Sequence, residues 1–458
     1  MTALSPSRDT HASLAGKRVL LIGLNYGPEE TGNAPYTTAL AEHLVAIGAR
    51  VTVLTGMPYY PFWSIFQEYR GRWRQREQIR GVDVRRVRQY VPRRQSAVRR
   101  ALFEGTFLTQ ALLVTGLPRP DIVVGVVPSL SGGMLAAAAA ARYRVPYGLL
   151  FQDLVGQSAA QSGIVGGGQV RGPVRAIEGW FSRRAAAVAV VAEGFRRYLE
   201  GTGVAAERIC RVRNWTHVDL PTRTPEETRM RIGLPAEAFV CLHAGNMGLK
   251  QGLENVLAAA RLARTSDPDL LFVLMGDGNQ RAELEAVAEG LPNVRFLPPQ
   301  PKDEFPNILA AADVLLVNQR PSVTDMSLPG KLTSYFAAGR PVVAAVAPGS
   351  ETAAELATAQ AGITVAAGDP AQLVTAIRSL AVDPSRADAL GQQGQTYARK
   401  QLSAEASLAR LEQFVCSIAD ASGPPPSIVG DQSRPKLPFV IRKRSGGRQR
   451  DASLPDAL

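Results

Sequence analysis

The sequence predicts an α/β protein made of two Rossmann-like domains, and three observations carry that expectation. Apolar, β-branched runs alternate with alanine- and leucine-rich helical patterns over most of the 458 residues, as in parallel β-α-β units. The alternation stops once, in the polar, proline-containing stretch Pro221 to Thr228, and then resumes. The length exceeds one ordinary domain, and 45% apolar with 20% charged residues suits a globular chain that buries sizeable cores.

Taken in order, residues 1–16 hold Arg8 and no sustained apolar run, so they read as a disordered lead without signal peptide or start-transfer helix. The longest apolar stretch, Met134 to Ala141, is far short of the roughly 20 residues of a membrane span, and a cytoplasmic protein is expected. Strands are expected at Arg18-Ile22, Val51-Thr55, Asp121-Val127, Tyr147-Phe151 and Ala187-Val191, giving a first domain over 17–213. After a linker at 214–228, a second series runs through Phe239-His243, Leu270-Met275, Val294-Leu297, Val314-Val317 and Pro341-Ala345, giving a domain over 229–402. A final helix follows over 403–419. Gly423-Pro424-Pro425-Pro426 then opens a disordered, basic tail over 420–458.

The net charge of +12 is unevenly placed. Twelve arginines between Arg70 and Arg100 face only Glu77 and Asp83, and the tail from Ala421 adds seven basic residues against three acids. A basic arm and tail on a nearly neutral body point to an anionic surface as partner, and no zinc-finger, helix-turn-helix or RNA-binding motif supports a nucleic-acid binder. Tyr69 and Trp73, preceded by Trp63 and Phe66 and followed by the amphipathic segment Ala97 to Leu117, extend that membrane-facing reading over residues 63–117; a solvated face with core aromatics is the alternative. Cys210, Cys241 and Cys416 are scattered, no histidine spacing suggests a metal, and His243 is the one histidine beside a candidate ligand loop.

Ligands of open parallel sheets bind beyond the carboxyl ends of the strands, so the loops there are where chemistry is sought. The first strand runs into Gly23 to Asn33 and then a helix, a glycine-bearing loop offering free N–H groups; an ordinary βα turn is the other reading. His243 to Gly252 repeats the arrangement in the second domain, with Gly245, Gly248 and Gly252 for close backbone approach and Lys250 to reach a pyrophosphate. Met275-Gly276-Asp277-Gly278-Asn279 is a further turn, and Lys331 opens a helix whose first turn prefers acids, as if aimed at a phosphate.

Gly245-Asn246-Met247-Gly248, Gly276-Asp277-Gly278, Asn293 to Pro298, Ala311 to Val314, Pro329-Gly330-Lys331-Leu332 and Ala337 to Val343 together resemble the donor domain of family 4 glycosyltransferases. Asn25 to Glu29, Pro58 to Pro61, Val91-Pro92-Arg93 and Gln152-Asp153 are similar to the colanic-acid and O-antigen fucosyl- and fucosaminyltransferase branch, the whole resemblance spanning about residues 17 to 419. It implies a GT-B fold, with the last helix crossing back to the N-terminal domain, and a retaining transfer without metal or other cofactor. The donor would be a UDP- or GDP-sugar and the acceptor a lipid-linked glycan, at the inner face of the plasma membrane. Gly32, Asn33, Gly245, Asn246, Gly248, Lys250, Gly276, Asp277, Gly330 and Lys331 would then surround the donor, its phosphates above all, and Phe296, Leu297 and Pro298 its base. Asp153 would touch sugar or acceptor, a helix-cap aspartate being the plainer reading.

The chain departs from the family's pattern in places. The paired glutamates of its EX7E motif fall at Met326 and Ser334, leaving Asp325 as a neighbouring acid, and Gln152 stands where many relatives have histidine. A sugar-nucleotide epimerase or hydrolase of the same fold, or a non-catalytic relative, therefore stands beside the transferase reading.

Overall fold

The structure, a computed structural model, describes residues 14–93, 96–154, 171–216, 218–323 and 330–421. Most of the lead and, from residue 422, the basic tail lie outside the described residues.

Strand β1 (Arg18–Ile22) lies inside an eight-stranded sheet between β2 (Arg50–Gly56) and β5 (Ile122–Val127), pairing in parallel with Val19 opposite Val51 and Ile122. Every residue of β5 is buried, as expected where helices cover both faces of a parallel sheet. Helix α1 (Ala34–Ala46) follows β1, and β6 (Tyr147–Phe151), β7 (Ala187–Val190) and β8 (Ile209–Arg211) extend the sheet on the β5 side.

The arginine-rich stretch is itself part of the sheet, which the sequence reading had not placed there. β3 (Arg74–Ile79) and β4 (Val82–Val87) form an antiparallel hairpin whose turn, Arg80-Gly81, has positive φ at both residues, and β4 pairs in parallel with β2. Val82, Val84 and Val87 face the core while Arg74, Arg76 and Arg80 stay exposed. Helix α2 (Ala97–Leu112) packs beside the hairpin, burying Phe103 and Phe107, and α3 (Leu130–Tyr143), α4 (Arg171–Ser182) and α5 (Glu193–Glu200) complete this domain.

Between the domains, α6 (Pro225–Arg231) begins inside the expected linker and runs past its end. Thr224 accepts from the Glu227 N–H while Glu227 accepts from the Thr224 N–H, a capping box with Pro225 already in helical φ.

The second sheet is six-stranded and parallel, in the order β11-β10-β9-β12-β13-β14. Its strands are β9 (Phe239–Ala244), β10 (Leu270–Met275), β11 (Val294–Leu297), β12 (Val314–Asn318), β13 (Val342–Val346) and β14 (Gly362–Ala366). β14 was not anticipated, because this edge strand is nowhere fully buried and has no apolar run. The helices are α7 (Glu254–Ser266), α8 (Arg281–Val287), α9 (Phe305–Ala311), α10 (Gly330–Ala337), α11 (Glu351–Ala359), α12 (Pro370–Ala381) and α13 (Pro384–Gln401).

The last helix, α14 (Ala404–Asp420), returns to the first domain. Leu411, Phe414, Val415 and Ile418 join the core formed by Val19, Leu21, Val53 and Leu150. Any side chain at Gly148 on β6 would collide with Ile418, so glycine is what lets the helix lie flat there. Glu412 also takes a 2.9 Å bond from His43 on α1.

The domains meet through charge near the carboxyl ends of β7 and β13. Glu351 accepts from the Glu193 N–H at 3.1 Å and lies 3.4 Å from Arg197, while Glu355 pairs with Arg211 at 2.7 Å and Arg213 at 2.8 Å and accepts from Tyr397. Both glutamates are buried.

Candidate functional site

β9 and β10 are neighbours, and each ends in a glycine whose φ only glycine adopts freely: +125° at Gly245 and +140° at Gly276. The Gly245 N–H donates to Met275 O at 2.8 Å, and a Cβ on Gly276 would collide with the Gly245 carbonyl. The Met247 N–H donates to Asp277 O at 2.8 Å, and a Cβ on Gly278 would run into the Met247 backbone. Loops 245–252 and 276–280 are thus packed backbone to backbone, with room for a side chain at neither Gly276 nor Gly278. Asn246 and Asp277 are exposed upon it, Asp277 accepting from the Gly278 N–H at 2.7 Å.

Gly248 then leads into a 3-10 turn, Leu249–Gln251, which exposes Lys250. A side chain that the sequence reading did not single out fixes this turn from below. Asn318, buried at the end of β12, donates to both Gln251 O and Gly252 O at 2.7 Å and accepts from Asn255.

Lys331, the second residue of α10, reaches toward Gly245: a Cβ there would be 3.7 Å from its Nζ. Its one side-chain partner among the described residues is His243, whose Nε2 lies 3.4 Å away. Desolvation lowers the lysine from the usual 10.5 to about 7, and burial followed by the nearby ammonium pushes His243 well below the usual histidine value. His243 is wholly buried, so it stands behind the lysine and does not itself face a ligand. One turn after Lys331, Tyr335 accepts from Ala244 N–H at 2.8 Å and donates to Ala244 O, tying α10 to the end of β9. Lysine and glycine loop are held to one another by that hydroxyl, which the sequence reading had left as an ordinary helix residue.

The remaining donor-side expectations fall around this unit. Phe296 and Leu297 lie half-buried at the end of β11, where Leu297 O accepts from Gly276 N–H at 3.1 Å, and Pro298 is exposed beyond them. Gly330 begins α10. Asp325 and Met326 are in 324–329, outside the described residues. In the first domain Gly32 (φ +67°) is exposed and Asn33 precedes α1, whose first turn has neither an acid nor a side-chain cap. Asp153, just beyond β6, accepts from the Leu154 N–H at 2.8 Å.

Chemically, the desolvated ammonium of Lys331 stands beside the glycine loop at the carboxyl end of β9, with Lys250 exposed on the same loop, an arrangement that suits an anion. No described cluster of histidine, cysteine or acidic residues has metal-site geometry.

Two Rossmann-like sheets, the second carrying glycine loops at the carboxyl ends of its strands and the last helix returning to the first, are the architecture of the GT-B fold. Residues 31–215 match the glycosyl transferase 4-like domain and residues 238–383 the glycosyl transferases group 1 domain. The chain is 33% identical over 336 residues to WcaI of Escherichia coli (strain K12), a glycosyl transferase assigned to colanic acid biosynthesis, covering 70% of this chain and 81% of that one. Anabaena Alr3699/HepE in complex with UDP has the same fold at a TM-score of 0.64, with 15% identity over 87% of this chain and 100% of that one. WaaG, a glycosyltransferase involved in lipopolysaccharide biosynthesis, aligns at 0.59 with 18% identity over 88% and 100%. The chain belongs to this family of glycosyltransferases, joining a 4-like N-terminal domain to a group 1 C-terminal domain.

Proposed function

We propose that the protein transfers a sugar, with retention of anomeric configuration, from a UDP- or GDP-sugar to a lipid-linked glycan during synthesis of a cell-surface polysaccharide. The observation that carries this reading is Lys331: a desolvated ammonium, facing no carboxylate among the described residues, beside a glycine loop open to a ligand. A departing diphosphate needs positive charge in the transition state, and a preorganised ammonium supplies it without a divalent cation. Lys331→Ala is expected to cost about 2–4 kcal/mol in kcat/KM, by analogy with lost oxyanion donors. Unchanged turnover in that variant, in an assay of sugar transfer with the product anomer read by NMR, would remove the assignment. A thermal-shift screen against UDP, GDP, dTDP and CMP selects the donor class, and no shift with any would favour a relative that does not bind donor.

The acceptor side rests on the hairpin. Trp73 is 67% exposed, and Arg74 donates to the carbonyl of Leu113, which with Leu112 and Leu102 leaves apolar surface open beside the basic edge. That combination suits anionic head groups at the cytoplasmic face of a membrane, where a lipid-linked acceptor resides. No described helix is long and apolar enough to span a bilayer. Trp73→Ala with Arg74→Glu is expected to abolish sedimentation with anionic vesicles; retained binding would refute this surface. Arg86 and Tyr69, counted with the arm by sequence, do not belong to it: Arg86 is buried and lies over the Tyr69 ring.

A further inference from the structure

Buried carboxylates at strand ends need a reason, because burial without full pairing is costly. Glu29 is 3% exposed and lies in the loop that leads from β1 to Gly32 and α1. Both of its oxygens are used. Oε1 accepts from the Tyr59 N–H at 2.7 Å and the Tyr60 N–H at 2.9 Å, on the loop after β2, and Oε2 accepts from Asn25 Nδ2 at 2.8 Å within its own loop. The ring of Tyr60 in turn closes on Gly32, where a Cβ would lie 3.0 Å from Cε1.

A second ionic side chain joins the same two loops. Arg86 on β4 donates to Gly27 O in the first loop and to Gly56 O at the end of β2, with its remaining charge met by Glu77. Loop 23–33 is therefore tied to the β2 end twice, by an anion gathering N–H groups and by a cation gathering carbonyls. Neither group belongs to the nucleotide loops of the second domain, and neither is exposed to a ligand.

We propose that Glu29 and Arg86 are positioning residues for glycosyl transfer, which hold Gly32 and the start of α1 at a fixed place opposite the donor loops. The proposal rests on the donor-site reading above, because it needs the Gly32 loop to meet the bound donor. Its physical content is that a transition state requires the loop's N–H groups within about 0.5 Å of their working position, and a loop anchored only at β1 and α1 would not be held so closely.

The test is a comparison of Glu29→Ala, Glu29→Gln and Lys331→Ala in the full chain. A glutamine keeps one oxygen for the two tyrosine N–H groups, and its amide can donate to Asn25 once that side chain turns over to present its oxygen. Glu29→Ala is expected to lower kcat about tenfold or more, with the UDP dissociation constant changed less than about threefold, while Glu29→Gln restores turnover to within about threefold of wild type. Hydrogen exchange reads the brace directly: the Tyr59 and Tyr60 amides and the segment 25–33 are expected to exchange faster in the alanine variant and to be reprotected in the glutamine variant. Arg86→Lys, which keeps the charge but cannot reach two carbonyls with one fork, is expected to loosen the same segment. Equal loss of turnover in the alanine and glutamine variants would overturn the proposal by making the carboxylate's charge the active feature. Faster exchange with unchanged turnover would overturn it by making the brace irrelevant to the reaction. If Lys331→Ala keeps full activity while the Glu29 results stand as expected, it is the phosphate-site reading that fails and the brace that survives.

Discussion

Desolvation brings Lys331 down to about 7, and a bound diphosphate would raise that value by supplying an opposite charge. The ligand then prefers the protonated lysine. Below pH 7 the ammonium is already present and the lysine adds no pH dependence; well above it, each UDP bound takes up a proton, so the dissociation constant is expected to rise about tenfold per pH unit. Calorimetry in buffers of different ionisation enthalpy measures the uptake directly, and binding heats independent of buffer at pH 8 would contradict it. His243 does not confuse the window, since its burial keeps it neutral throughout. Lys331 was legible in sequence because a cation at a helix start runs against local preference. Glu29, Arg86 and Asn318 were not, because what distinguishes them is burial and bonding to backbone distant in the chain, and neither leaves a mark on neighbouring residues.

Among the elements, the paired loops after β9 and β10 tolerate least. Gly276→Ala places a methyl group against the Gly245 carbonyl at a φ that alanine adopts only with strain, so the loops must part. A loss of about 2–4 kcal/mol in urea unfolding is expected, together with loss of the UDP thermal shift. Wild-type stability and binding would show that the layers are not in register as described. The sequence announced these loops through their glycines, and the central strands through their apolar runs. It concealed the β3–β4 hairpin, since a strand written Arg-Gln-Arg-Glu-Gln-Ile is polar or charged at every position but the last and the period of two survives only in which residues are half-buried. Edge strands carry such charge because it discourages pairing with another chain.

Across the whole molecule, Glu351 and Glu355 join the two domains. Burial pushes Glu355 up, but Arg213, Tyr397 and Arg211 more than offset it, leaving its carboxyl below the usual value of 4.5. A depressed folded value contributes stability that is complete above 4.5 and disappears as the pH falls through the folded pKa. Glu355→Gln should therefore melt lower than wild type at pH 7, by at least about 1 kcal/mol for the arginines left unpaired, with the gap closing on acidification below 4.5. A gap that stays constant between pH 7 and 3.5 would mean that the pair adds nothing through its charge.

The returning helix α14 has a consequence for how the molecule comes into being. Its residues complete the core around β1, β5 and β6, yet they are translated after the entire second domain. On the ribosome, the domain synthesised first must wait with part of one sheet face uncovered beside α1, while the domain synthesised second can close on its own strands. The order of synthesis and the order of completion are thus reversed, and the newborn N-terminal half depends on its own distant C-terminal segment to hide that face from other nascent chains.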